Sequence, residues 1–296
     1  MSNIDYMYPY MYYYNADMTD SISLFEYPYR MLSATDIFDY EYDYEISVTG
    51  KPKNFKPKIS PKNISIVVQG KDDEEIAYNK ARLMEIIDAD TNQQKEGKLF
   101  CGRYWLSGFF VKSEKPNKYI NVPLTIVNLT FYPSNGNWMS SEYFYFSTPE
   151  ILIQPYLDYD YDYDYDFCPD NVTGSFENKS YIPSEFLMRI FGPAINPTIT
   201  IGQWNYGMTG SLGEGETLVI DSVNKKMYIF SDNENERTNV FNQRFRDFYA
   251  FQPISVGENI VAWNGNFDFS IELYDTRREP KWAERGVTPP VSIMPM

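Results

Sequence analysis

The chain of 296 residues is long enough for two domains of ordinary size, and its 43% hydrophobic content can fill a core in each. A formal net charge of -15 sets it against nucleic acid phosphate and anionic membrane, and the complete lack of histidine removes Ser-His-Asp chemistry and histidine-bound zinc. Two cysteines, Cys101 and Cys168, read as unpaired thiols, the first twenty residues lack the pattern of a signal peptide, and no apolar run reaches the ~18 residues of a membrane span.

The first 45 residues are acidic and crowded with tyrosine: 'YMYPYMYYY', 'YPYR', then 'DYEYDYE'. Tyrosine at every second position puts an aromatic row and an acidic row on opposite faces of a strand, which suits a half-buried sheet or an interface. The stretch 'KPKNFKPKISPK' at residues 51–62 reverses the charge, and its three prolines predict an extended loop. Lacking a flanking aromatic platform, it reads as a solvated loop, or as one that pairs with an acidic neighbouring subunit, rather than as a nucleic-acid contact. Eleven tyrosines lie between Tyr6 and Tyr44, more than an acidic surface needs, and tyrosine is enriched where one face is buried against a partner. The candidate subunit interface is therefore Tyr8, Tyr10, Tyr12, Tyr40, Tyr42 and Tyr44 together with Lys53, Lys56 and Lys58, acid meeting base across neighbouring copies.

'ISIVVQG' at residues 64–70 is a short apolar strand closed by glycine. 'DDEEIAYNKARLMEIIDADTNQQ' carries the strong helical signal of the chain: acidic residues open it, and Ile76, Leu83 and Ile87 share one face that packs on a sheet. 'KLFCGRYWLSGFFVKSE' and 'YINVPLTIVNLTFYP' follow as β-rich stretches with a turn at residues 114–118, so residues 1–149 form one unit of antiparallel strands with a single helix.

Residues 150–170 hold seven acidic residues and no basic one, including 'DYDYDYDYD' at residues 158–166; self-repulsion extends such a run, and residues 150–180 read as a linker. Residues 181–296 then give 'SEFLMRIFGPAINPTITIG', 'ETLVIDSVNKKMYIF' and 'NFDFSIELYDTRREPKW', strands at the spacing of an all-β sandwich, with a hairpin turn at 'VNKK', residues 223–226.

Sites of chemistry do not emerge. Asp158, Asp160 and Asp162 have the 1, 3, 5 spacing of a calcium-binding EF-hand loop, but Tyr163 stands where that loop needs glycine and Pro169 where it needs a bidentate glutamate. Paired carboxylates of a glycosidase survive the lack of histidine, yet 41 acidic residues always supply pairs and none is marked as special. 'GSLGEGE' at residues 210–216 lacks the Lys-Ser/Thr of a phosphate loop. Trp105, Trp138, Trp204, Trp263 and Trp282 are better read as core or interface than as sugar platforms. The expectation is a protein without catalytic residues, metal or cofactor.

In order of elements the chain resembles the distal tail (Dit) family of siphophage proteins. The residues that carry this are 'ISIVVQGKDDEEIAYNKARLMEIIDAD', 'GKLFCGRYWLSGFFVKSE' and 'YINVPLTIVNLTFYPSNGNW', then 'FLMRIFGPAINPTITIG', 'GETLVIDSVNKKMYIF', 'FQPISVGENIVAW' and 'RREPKW'. The resemblance implies a mainly β fold: an N-terminal β-sandwich-like belt domain with one helix, and a C-terminal galectin-like β-sandwich. It further implies a homo-hexameric ring at the distal end of a phage tail, with the tail-tube protein and tail-tip adhesion proteins as partners, and neither part is known as an enzyme. Galectin sugar motifs are not matched by the histidine-free chain or by 'WAER' at residues 282–285. A carbohydrate-binding tail adhesin is the alternative reading, and a cell-wall hydrolase the next.

Overall fold

The computed structural model describes residues 11–116, 124–147, 172–231 and 237–281. Two compact units divide the chain: unit 1 is Met1–Ser140 with Thr276–Met296, and unit 2 is Ser141–Asp275. Both are built mainly of antiparallel strands, and one long helix lies in unit 1, as the sequence led us to expect.

Unit 1 runs β1 (Met11–Tyr14), β2 (Ser21–Ser23), β3 (Tyr29–Thr35), β4 (Glu41–Ile46), β5 (Pro52–Lys58), β6 (Lys62–Gln69), α1 (Asp73–Gln93), β7 (Gly97–Cys101), β8 (Tyr104–Glu114), β9 (Leu124–Pro133) and β10 (Trp138–Phe146), the last crossing into unit 2. β8 joins two sets of strands: its first half pairs with β7, which carries β1 and β2 beyond it, and its second half pairs with β9, followed by β6 and β3. Alternation explains the strands. Met11 and Tyr13 are buried while Tyr12 and Tyr14 are half-buried, and Ile64, Ile66 and Val68 of β6 turn inward together.

Helix α1 starts where Asp72 accepts a hydrogen bond from the Glu75 amide at 2.8 Å, with three acidic residues in its first turn facing the positive end of the helix dipole. It stops at Gln94, whose φ of 55° is left-handed. The predicted face is the buried one: Ile76, Leu83 and Ile87, joined by Ile86, pack toward β6 and β8. Each contributes about 1.5–3 kcal/mol by leaving water. Cys101 lies in this core, unpaired, and burial pushes its thiol up to about 12; Cys168 lies outside the described residues.

Unit 2 contains β11 (Val172–Asn178), β12 (Phe186–Phe191), β13 (Ala194–Ile195), β14 (Thr198–Ile201), β15 (Trp204–Gly207), β16 (Ser211–Leu212), β17 (Glu216–Asp221), β18 (Lys226–Ser231), β19 (Arg237–Asn239), β20 (Gly257–Trp263) and β21 (Phe269–Arg277), which ends in unit 1. One set of paired strands is β19-β18-β17-β12-β21, and the other is β11-β20-β14-β15. Phe186, Met188 and Ile190 of the first set and Ile199, Ile201 and Val261 of the second meet in one core, the arrangement of a sandwich. The turn expected at residues 223–226 does join two antiparallel strands, β17 and β18, with Lys225 at φ 54°.

Trp138 and Trp263 are buried, Trp105 and Trp204 half-buried, and Trp282 lies outside the described residues. The linker expected at residues 150–180 lies outside them too except for its end, residues 172–180, most of which is strand β11 paired with β20. One expectation is corrected outright. The basic run at residues 51–62 is not a loop: Pro52–Lys58 is strand β5, hydrogen-bonded to β4.

Candidate functional site

Two strands, β4 and β5, form a sheet of their own, and among the described residues neither pairs with a third strand. They are joined by a turn in which the Gly50 amide donates to the Ser47 carbonyl at 2.8 Å and the Lys51 amide to the Ser47 hydroxyl at 3.0 Å. Gly50 sits at φ 77°, a conformation costly for residues with a Cβ. Asn54 takes φ 55° in a bulge that lets β5 carry one more residue than β4, and its amide donates to the Glu45 carboxylate at 2.7 Å.

The register sorts the side chains by chemistry. Glu41 stands opposite Lys58, Asp43 opposite Lys56 and Glu45 opposite Lys53, so the charges of both strands share one face and alternate in sign across it. Lys58 reaches Glu41 at 2.7 Å, and that carboxylate holds its ammonium above the ordinary lysine range. The other face is aromatic. Tyr42 and Tyr44 meet Phe55 with ring centroids 6.3 and 5.9 Å apart, and Tyr40 meets Tyr42 at 5.9 Å. Tyr40, Tyr44 and Phe55 are each more than half exposed, Ile46 is 69% exposed, and Val48 at the tip is fully exposed.

The root of this hairpin is fastened to unit 1. Buried Lys62, just beyond β5, donates to the carbonyls of Asp36 and Asp39, just before β4, and burial lowers its ammonium pKa despite those partners. Arg278 lays its guanidinium over the Tyr42 ring, 5.0 Å from the centroid, and donates from Nε to the Tyr42 hydroxyl at 3.0 Å and from a terminal nitrogen to the Gly136 carbonyl at 3.3 Å. An open cleft beside the root, about 530 Å³, is lined by acidic side chains including Asp36, Asp39 and Glu41. Among the described residues no group of three carboxylates or thiols is arranged to hold a metal; residues 158–166 lie outside them.

Five of the nine residues singled out as a candidate interface, Tyr42, Tyr44, Lys53, Lys56 and Lys58, therefore stand on one hairpin, and a sixth, Tyr40, directly precedes it. Tyr12 does not join them: it lies half-buried in β1, opposite Phe100 of β7. Tyr8 and Tyr10 lie outside the described residues. The acid and base runs, expected to meet across neighbouring copies, pair inside one chain because the Ser47–Lys51 turn folds one run directly onto the other. Phe55 and Arg278 were missed. Phe55 is one aromatic among lysines, and Arg278 lies 236 positions from the tyrosine it covers.

No protein-family model matches the chain, and no curated protein does. Solved structures do. The Dit protein of phage SPP1, from the hub adsorption apparatus of phages infecting Gram-positive hosts, matches with a TM-score of 0.56 at 7% identity, covering 90% of this chain and 98% of its own. A chain of the phage P2 baseplate in its activated conformation with Ca matches with a TM-score of 0.60 at 13% identity, covering 92% of this chain and 99% of its own. A chain of the phage p2 baseplate with Sr gives 0.57 at 12%, covering 90% and 97%. Identities this low speak to architecture alone, and over about nine-tenths of its length the chain has the fold of these phage hub and baseplate proteins.

Proposed function

We propose that this protein is a structural component of a bacteriophage tail tip, a distal tail protein that closes as a hexameric ring between the tail tube and the host-adhesion device. The observation that carries the reading is the match of fold along nearly the full length of both chains, through both units, to proteins of adsorption hubs and baseplates. An open-edged hairpin with one aromatic face agrees with a life in an assembly. Its partners on this reading are further copies of itself, the tail-tube protein on one side and adhesion proteins on the other, in the virion and with no chemical step to perform.

Negative-stain microscopy of the purified full chain, alone and with the tail-tube protein, tests it. Closed rings of six are expected, and a protein that stays monomeric in both preparations refutes the reading.

A further inference from the structure

We infer that the aromatic face of the hairpin Glu41–Lys58 docks on the acidic body of a second copy of this chain, an inference that rests on the ring reading and names its contact. A two-stranded hairpin is marginal in water on its own. This one has both outer edges unpaired among the described residues, and its root alone is fastened, through Lys62 and Arg278. Its charged face has no need of a partner, since every carboxylate of β4 stands opposite a lysine of β5. The aromatic face has no such satisfaction. Tyr44 and Phe55, each more than half exposed, with Ile46, Val48 and Tyr40 directly before the hairpin, present on the order of 500 Å² of mostly apolar surface. That matches the largest patch an ordinary monomer leaves in water, and it is more than half of one side of a standard interface, roughly 800 Å².

Charge selects the occupant. Residues 41–58 hold four lysines against three carboxylates, a net +1, so the remainder of the chain carries -16. An acidic copy repels another acidic copy over most of its surface, and this near-neutral, slightly basic hairpin is an exposed element that escapes that repulsion. Backbone composition adds to it: Pro52 and Pro57 remove two donors from β5, whereas β4 has no proline and keeps its outward-pointing amides along an open edge. A hairpin that each copy gives and each copy receives makes a head-to-tail contact, which closes into a ring when the rotation permits.

The experiment uses the full chain in three forms. Y44S/F55S removes the aromatic face and should shift the ring to single chains in light scattering and in micrographs, while cooperative melting persists. Exchange of one ion pair, Glu41→Lys with Lys58→Glu, should leave rings unchanged, because that pair is closed within the hairpin. A photoreactive benzoylphenylalanine at Phe55 should yield covalent dimers whose second peptide comes from outside residues 41–58. Rings that survive in Y44S/F55S, or rings that give no dimer from position 55, overturn the hairpin contact and leave the ring reading standing. A wild-type chain that forms no ring, even with its tail-tube partner, overturns the ring reading and this contact together.

Discussion

Replacing Tyr13 by phenylalanine removes one oxygen from the centre of unit 1. The Tyr13 hydroxyl donates to Asp90 Oδ2 at 2.6 Å, both side chains are at most 4% exposed, and Asp90 Oδ1 accepts from the Ala16 amide at 2.9 Å. The ring itself stays in place against Phe110, 4.8 Å away, and Phe131, 6.4 Å away, so little packing is lost. What is lost is one of the hydrogen bonds that hold a carboxylate among apolar side chains. A hydrogen bond to a charged group contributes ~1.5–3 kcal/mol, and the change should cost about 2 kcal/mol. For a domain of this size each kcal/mol moves Tm by about 2–4 °C, which gives a fall of roughly 4–8 °C. Calorimetry and urea unfolding measure it. In an Asp90→Leu background the same Tyr13→Phe change should cost only a few tenths of a kcal/mol, because the partner is already gone. Equal costs in the two backgrounds would refute the coupling and assign the effect to surroundings of the hydroxyl other than Asp90.

The other expectations are briefer. A Cβ at Gly97 would collide with both the Tyr13 hydroxyl and the Asp90 carboxylate, so Gly97→Ala should cost about 3 kcal/mol or more, read by the same melts. The hydroxyls of Tyr13, Tyr206 and Tyr274 are all raised above the ordinary value near 10, burial being the first cause in each. A raised folded value means stability is whole below pH ~10 and declines above it, so absorbance titration should show these three ionising only as the chain unfolds. Their ionisation near pH 10 with melting unchanged would contradict the burial. Lys62→Met removes the ammonium that the Asp36 and Asp39 carbonyls share; trypsin should then cut the hairpin at Lys53 and Lys58, the two of its lysines not followed by proline, several times faster, at a cost of ~1–3 kcal/mol in the melt.

How much of this was legible in the sequence depends on the range of the interaction. Helix α1 could be read because its signals are local: Asp72 caps it, acids fill its first turn, and Ile76, Leu83 and Ile87 recur at the helical period. β6, β7, β8 and the β17–β18 turn were legible for the same reason, an alternation or an apolar run bounded by glycine or a turn. The division into units was not. It falls inside β10 after Ser140, and the chain returns to unit 1 inside β21 at Thr276; each strand is continuous through the division and carries no breaker there. Arg278 escaped notice likewise, since a stacking contact over 236 positions leaves no mark on either neighbourhood.

β5 is the instructive misreading. Two prolines and four lysines in eight residues argue against a strand when strands are pictured inside sheets, where proline breaks the ladder and like charges repel. In a two-stranded ribbon both objections lapse: proline can turn its missing donor outward to an open edge, and each lysine of the strand faces a carboxylate of β4. Opposite charge runs next to one another in sequence are thus better read as two arms of one hairpin than as the two halves of an intermolecular contact, because a short turn brings them together at far lower entropic cost than a second chain does. Once the charges are closed within the hairpin, the surface left without a partner is the row interleaved with them, Tyr40, Tyr44 and Ile46, facing the same way as Phe55. Recognition by that row depends mainly on apolar burial and shape, and the hairpin's net +1 adds only a small attraction to an acidic copy, so salt should weaken this contact far less than one made of lysines and carboxylates.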